Sequence, residues 1–430
     1  MKKYISRFLK FLIRQTLYVN LHFLYAYLIT KATLINHSKN NDSILVFGRV
    51  SSDMDLLIKN TNFNYYYLHR LQFFIPSIFL DKKLLSQRNY FNYQDNISNT
   101  QKTVLRKHLL KILRYFKKHG NLQYIFTASF NYFEHQEWAN AGKELGIELI
   151  VYYKESVISE GRIEGYKHYI SDAAKSINNV DKILVYGETG LKQLEDTNLV
   201  DNNAIIKIGS LKTDELFNQN KKFGSNISRN AITLYAFPCD DFQENFNANT
   251  YYSQVWQAGY WAPRLWKDTI NLFTKMSNKY KDTTFIVKTK SPTSTEAVKK
   301  YIDEKNFENL VFTHELSTYE VYEKSSLVIG FNSTVLIEML STDVPCLIPQ
   351  WHESKNADLK DKLLLNNNSD AYNSVNSAEE FTNFIEKFLN ESSELKLNID
   401  KKERDKIVNY YLYSVDGKVI ERLEEILNAK

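Results

Sequence analysis

The stretch SSLVIGFNSTVLIEMLSTDVPCLIPQWHE, residues 325–353, decides how the rest of the chain is read. Residues 327–329 form the continuous aliphatic run that a strand buried on both faces requires, and Gly330 lets the backbone turn at its end without a Cβ in the way. Asn332 and Ser333 stand where a helix begins and are placed to cap it. Along that helix Val335, Leu336, Met339 and Leu340 make a buried face, whereas Thr334, Glu338 and Thr342 recur every fourth residue on the other. A second aliphatic run, 346–348, follows Pro345. Strand, turn, helix, strand is the unit of a doubly wound sheet, in which the free N–H groups of the helix start point out of the carboxyl edge and bind phosphate. Glu338, one turn along, is where a carboxylate accepts both hydroxyls of a ribose; its favourable place near the positive end of the helix dipole explains it equally well.

Working outward, short β-branched runs alternate with helical patterns over most of the chain, which predicts a parallel sheet in each half. The expected strands are 43–47, 65–68, 124–128, 148–153, 182–186 and 204–208, then 232–237, 284–288, 310–312, 327–330 and 346–348. The segment ELFNQNKKFGSNISRN, 215–230, has Gly, Ser and Asn and little apolar periodicity, and is read as the link between domains. The expected organisation is a basic segment 1–40, a first domain 41–214, the link 215–230, a second domain 231–405 and a helix over 406–430 crossing back to the first. The chain has 430 residues, 13 Gly, 6 Pro and 2 Cys, with 43% apolar and 24% charged residues, which excludes a collagen-like, disordered or disulfide-stapled protein.

A net charge of +5 hides an asymmetry. Residues 1–120 hold 20 Lys and Arg against 5 Asp, a balance of +15, and the remainder carries 35 against 45, a balance of −10. The amino-terminal third therefore faces something anionic or tolerates its own repulsion. Lys2, Lys3, Arg7, Lys10 and Arg14 precede an apolar and aromatic run, 17–29, broken by Asn20 and His22 and too short to span a bilayer. Such a segment suits the headgroup plane of an anionic leaflet, and residues 104–119 repeat its chemistry. Each alone is equally an ordinary amphipathic helix. No nucleic-acid motif accompanies the charge, and nucleic acid is not an expected partner. Cys239 and Cys346 lack metal-ligand spacing and suit a reducing compartment, so the expected location is cytoplasmic, peripheral on the inner face of a membrane.

The pattern G-x-N-S-T-x-x-x-E-x-x-x-x-x-x-P over 330–345 resembles the donor-nucleotide segment of GT-B glycosyltransferases, particularly bacterial capsule and surface-polysaccharide enzymes, and is similar to that of the teichoic-acid glycerophosphotransferases. Met339 and Asp343 depart from the small residue and Gly usual there. IGSLKTDELF, 208–217, resembles the segment closing the first domain, with Lys212 where Arg is common. SVDGKVIERL, 414–423, resembles the carboxy-terminal Asp-Gly segment, and FIVKTKSP, 285–292, stands where a strand ends in Lys-x-His-Pro. The resemblance implies an α/β fold of two Rossmann-like domains facing a cleft. It also implies a metal-independent, inverting transferase that moves a sugar from a nucleotide-activated donor to a glycan or lipid-linked acceptor, with no cofactor. Transfer of a polyol phosphate from a CDP-activated donor, a nucleotide-sugar epimerase of the same fold and an inactive membrane-associated scaffold are the alternatives.

On this reading Gly330, Asn332, Ser333, Thr334, Lys288, Lys290 and His352 hold the donor with Glu338. Lysines and a helix start meet the charge that develops on the departing phosphate. Lys154 and Glu155 end another expected strand, and in the family an acid just after such a strand deprotonates the acceptor, which makes Glu155 the base with Glu160 second. A Lys–Glu surface pair is the plain alternative for 154–155. His135 on a polar turn and Arg264 in the aromatic stretch 251–266 are further candidates. Asp240 and Asp241 follow a strand and are read as turn residues or substrate contacts, although paired acids there also suit Mg²⁺.

Overall fold

The computed structural model describes residues 11, 22–35, 42–177, 179–223, 229–236, 262–302, 307–356, 361–365, 369–390 and 397–429. Asp240, Asp241, Cys239, nearly all of the basic segment ahead of His22 and the aromatic residues 251–261 lie outside the described residues.

Strands β1 (Leu34–Ile35), β2 (Ser43–Val46), β3 (Asn64–Tyr67), β4 (Leu122–Thr127), β5 (Glu148–Tyr152), β6 (Lys182–Val185) and β7 (Ile205–Lys207) form one sheet in the order β1-β3-β2-β4-β5-β6-β7. All pairings are parallel except the short antiparallel edge β1. Strands β8 (Ala231–Tyr235), β9 (Thr284–Lys288), β10 (Leu310–Thr313), β11 (Ser325–Gly330), β12 (Cys346–Pro349) and β13 (Asn373–Val375) form a second, wholly parallel sheet, β10-β9-β8-β11-β12-β13. The strand order reverses next to β2 in one sheet and β8 in the other, which opens a crevice at the carboxyl edge of each. The molecule is thus α/β with two Rossmann-like units facing a cleft.

Helices cover both faces of each sheet because the central strands are apolar on both sides; β2, SILV, is buried at every residue. On one face of the first sheet lie α1 (His22–Thr33), α2 (Asn96–Gly120), α3 (Phe133–Glu144) and α4 (Ile163–Ala174), sharing a core with Leu45, Tyr66 and Val151. Asp95 caps α2 through its carboxylate, which accepts from Ser98 N at 2.9 Å. In α2, Leu105, Leu109, Ile112, Leu113 and Phe116 are buried against α1 and α3. This corrects the expectation that residues 104–119 lie with an apolar face in a headgroup layer, since that face is already covered by protein. No helix among the described residues is long and apolar enough to cross a membrane.

A second core runs without interruption from the other face of the first sheet, through Tyr65, Phe126 and Tyr152, to Val328, Leu336 and Cys346 of the second. Two helices join it, α5 (Lys401–Leu412) and α6 (Val419–Asn428), through Val408, Leu412, Leu423 and Leu427. The segments 208–217 and 414–423 meet here. The Asp214 carboxylate accepts from Val419 N at 2.8 Å and Ile420 N at 3.3 Å, and Arg422 bridges Ile208 O and the Asp416 carboxylate. Tyr124 OH donates to Leu427 O. Both glycines of these segments, Gly209 and Gly417, have left-handed backbones, with φ of 91° and 76°. Buried in the same core, the Cys346 thiol is pushed up to about 11.

Candidate functional site

A cavity of about 420 Å³ lies between the carboxyl edges of the two sheets. Residues at or shortly beyond six strand ends supply its wall: Lys154 and Glu155 after β5, Tyr186 after β6, Lys212 beyond β7, Tyr235 and Ala236 at the end of β8, Lys288, Thr289 and Lys290 at the end of β9, and Asn332, Ser333 and Thr334 after β11. Arg162, Thr318 and Glu338 complete it. Five cations, Lys154, Arg162, Lys212, Lys288 and Lys290, therefore stand against two carboxylates, Glu155 and Glu338. A space of this size suits a small ligand, and its charge suits an anionic one.

The turn after β11 is built differently from the sequence reading. Gly330 is not where the backbone turns left; that residue is Asn332, with φ of 46°. At Gly330 a Cβ would come within 3.1 Å of Leu336, so the glycine lets the following helix close down on its strand. Nor does Asn332 cap the helix: its Oδ1 accepts from Leu364 N at 3.0 Å and anchors the segment 361–365. Ser333 is at the cap position of the helix Thr334–Leu340 without a side-chain capping bond.

Glu338 is 7% exposed, and Oε2 accepts from the Thr318 hydroxyl at 3.0 Å. Thr318 opens a helix, Thr318–Lys324, whose start is fixed by a capping box between Ser317 and Glu320. From the first unit Lys212 approaches, and the Glu338 carboxylate lifts its ammonium above the ordinary lysine range in spite of burial. Tyr235 OH has no hydrogen-bond partner among the described residues, and burial, reinforced by Glu338, raises the phenol well above its usual value.

On the facing wall Lys154 and Glu155 form a short 3-10 turn, Lys154–Ser156. They do not pair with each other as neighbours. Lys154 is ion-paired to Asp53, and burial lowers its pKa while Asp53 opposes that shift. Glu155 is exposed to the cleft, its main chain held by a bond from Gln193 Nε2 to Glu155 O at 3.3 Å. The Lys288 ammonium donates to Thr289 O at 2.6 Å and His314 O at 3.0 Å, which ties it to the wall, whereas Lys290 is exposed.

Four other expected residues lie off the cleft wall. His352 Nε2 is 2.6 Å from Asp268 Oδ2, and its neighbour Glu353 accepts from Arg264 Nε at 2.9 Å and Leu265 N at 3.1 Å. His352, Glu353 and Arg264 thus fasten the start of the helix Pro263–Lys279 instead of reaching a donor. His135 is buried with its ring edge-on to Phe47, and Glu160 pairs with Lys192 at 3.2 Å beside a separate cavity. Sequence reading missed Asp53, Arg162, Tyr235 and Thr318. Only Tyr235 carried a signal, since it falls near the end of the expected strand 232–237 and is the last residue of the observed one. Among the described residues no group of three or more His, Cys, Asp or Glu side chains is placed to hold a metal ion.

No protein-family profile matches the chain, and no curated protein is similar to it. Among solved structures, a histidine-to-alanine variant of the wall teichoic acid polymerase TagF is similar over 98% of this chain and 97% of its own, at 10% identity and a TM-score of 0.50. A putative UDP-N-acetylglucosamine 2-epimerase from Listeria monocytogenes is similar over 90% of this chain and 96% of its own, at 11% identity and a TM-score of 0.46. The same figures describe MnaA of S. aureus in a co-structure with UDP. At such identities the likeness to the polymerase bears on fold alone, and that fold is of GT-B type.

Proposed function

We propose that this protein is a glycosyltransferase that takes a nucleotide-activated sugar in the cleft and passes the sugar to a hydroxyl of a glycan or lipid-linked acceptor, in the assembly of a bacterial surface polysaccharide. The observation that carries the reading is the convergence of cations from both sheets on one cavity that also holds a free-standing carboxylate, Glu155. Lys290 and Lys212, with the hydroxyls of Ser333 and Thr334, take the phosphates, and their charge offsets what builds up on the departing nucleotide. Glu338, fixed by Thr318, accepts from the ribose.

Glu155 stands on the opposite wall and removes the acceptor proton as the acceptor oxygen bonds to the anomeric carbon and the bond from that carbon to phosphate oxygen breaks. The nucleotide leaves with the electron pair. Lys154, half-buried and held by Asp53, stands beside Glu155 on the same wall. Thermal-shift titration with CMP, CDP, UDP, GDP and TDP tests the donor half, and the mass of the product formed from the matching nucleotide sugar tests the transfer. Absence of a shift with every nucleotide overturns the proposal.

A further inference from the structure

Helix α2 carries a charge pattern that the cleft does not use. Residues 96–120 contain seven Lys and Arg and no acid. Three of the seven are committed to the protein itself: Lys102 is buried and donates to Tyr90 O at 2.7 Å, Arg106 pairs with Glu137 at 2.7 Å, and Lys117 donates to Leu145 O at 2.5 Å. The other four, Lys107, Lys111, Arg114 and Lys118, are exposed and have no ion pair among the described residues. Their spacing of four, three and four places them in one stripe along the solvent side of the helix, about 16 Å long.

Helix α1 packs beside α2, with Tyr27 close enough to Tyr115 to raise its phenol pKa further after burial. The outer side of α1 presents Leu24, 42% exposed, and Tyr27, 41% exposed, with Lys31 Nζ 5.6 Å from the Tyr27 ring centre. Residues 22–35 likewise contain no acid. Two packed helices therefore share one outward face in which a row of unpaired cations runs beside an aliphatic and an aromatic side chain.

We propose that this face docks the protein on the surface of an anionic lipid bilayer. The covered apolar side of α2 excludes insertion of that helix; its cations contact headgroups, while Leu24 and Tyr27 enter the interfacial layer. Charge complementarity selects the occupant: an unbroken cationic row gains from a continuous anionic plane, and the apolar pair beside it gives nothing to a nucleic-acid backbone. The inference stands apart from the cleft and holds whether or not the cleft takes a nucleotide.

The test is co-sedimentation of the full chain with vesicles of phosphatidylcholine alone or with one third phosphatidylglycerol. Each cation near such a surface is worth about fivefold in partitioning, so Lys107→Glu/Lys111→Glu/Arg114→Glu is expected to lower binding to the anionic vesicles at least about a hundredfold. Tyr27→Asp is expected to lower it as well, and added salt to release the wild type. Lys107→Gln/Lys118→Gln, a milder change on the same stripe, serves if the triple variant fails to fold. Unchanged partitioning of the folded variants, equal binding to neutral vesicles, or binding to duplex DNA without binding to vesicles each overturns the assignment.

Discussion

Lys154, on the cleft wall, is ion-paired to Asp53, whose carboxylate is only 1% exposed. Asp53 lies in the first turn of the helix Ser51–Asn60 and Lys154 opens the 3-10 turn just beyond β5, so the pair ties a helix start to a turn. Taking the carboxylate away leaves a largely desolvated ammonium without its counter-charge. Asp53→Leu is expected to lower stability by about 3 kcal/mol in urea denaturation, and adding Lys154→Met to restore most of it, with Lys154→Met alone completing the double-mutant cycle. Additive losses in that cycle would show that the two charges do not interact.

The two cleft carboxylates are expected to separate kinetically. Glu155→Gln keeps shape and donor contacts but cannot take a proton, so turnover falls about 100-fold or more with nucleotide affinity nearly unchanged. Glu338→Ala is expected to weaken nucleotide binding by about tenfold through loss of charged hydrogen bonds. Isothermal titration and initial rates read both; wild-type turnover in Glu155→Gln would remove it as the base.

Asp214 gives stability a pH dependence of defined sign. Burial pushes its carboxyl up to about 6, against the pull of the Val419 and Ile420 amides and of Arg422. The folded chain therefore holds this proton more tightly than the unfolded chain, whose value is about 3.9, and the group's contribution improves as pH falls from about 6 toward 4. Comparison of wild type with Asp214→Asn by urea denaturation is expected to shift in favour of the wild type by about 2 kcal/mol between pH 7.5 and pH 4. A pH-independent difference would contradict the raised value.

Gly187 follows β6 where α5 crosses it, and a Cβ there would lie 2.4 Å from the main chain of Tyr411. Backbone cannot yield as a side-chain tip does. Gly187→Ala is expected to cost about 1–3 kcal/mol and to raise hydrogen exchange over 401–428 more than over β9 and β10.

Much of the architecture was legible because central strands announce themselves: TFIVK, 284–288, reads as a strand from its β-branched run and is one, residue for residue. The edges were not. LI at β1 and NSV at β13 are too short for any periodicity, and β13 is held as much by Asn373 Nδ2 donating to Cys346 O at 3.1 Å as by its side-chain pattern. In the cleft, Lys154, Glu155, Lys288, Lys290 and Glu338 were reachable from sequence because strand ends and the helix after β11 must converge at one sheet edge. Asp53 and Thr318 were not, since nothing in their own neighbourhoods reveals Lys154 or Glu338. His352 and Arg264 show the converse: polar residues after a strand or beside aromatics, spent on fastening a helix start.

The crossing of α5 and α6 onto the first sheet has a bearing on biosynthesis. A ribosome delivers β2 through β7 long before it delivers residues 401–428, so the amino-terminal half emerges with one side of its sheet still bare of the cover that Leu412, Leu423 and Leu427 provide. Leu57, Leu211 and Leu216 already shelter part of that side, and the remainder waits for the entire second sheet to be translated. Nascent chains arrested before residue 400 therefore lack the part of this core that the last two helices supply.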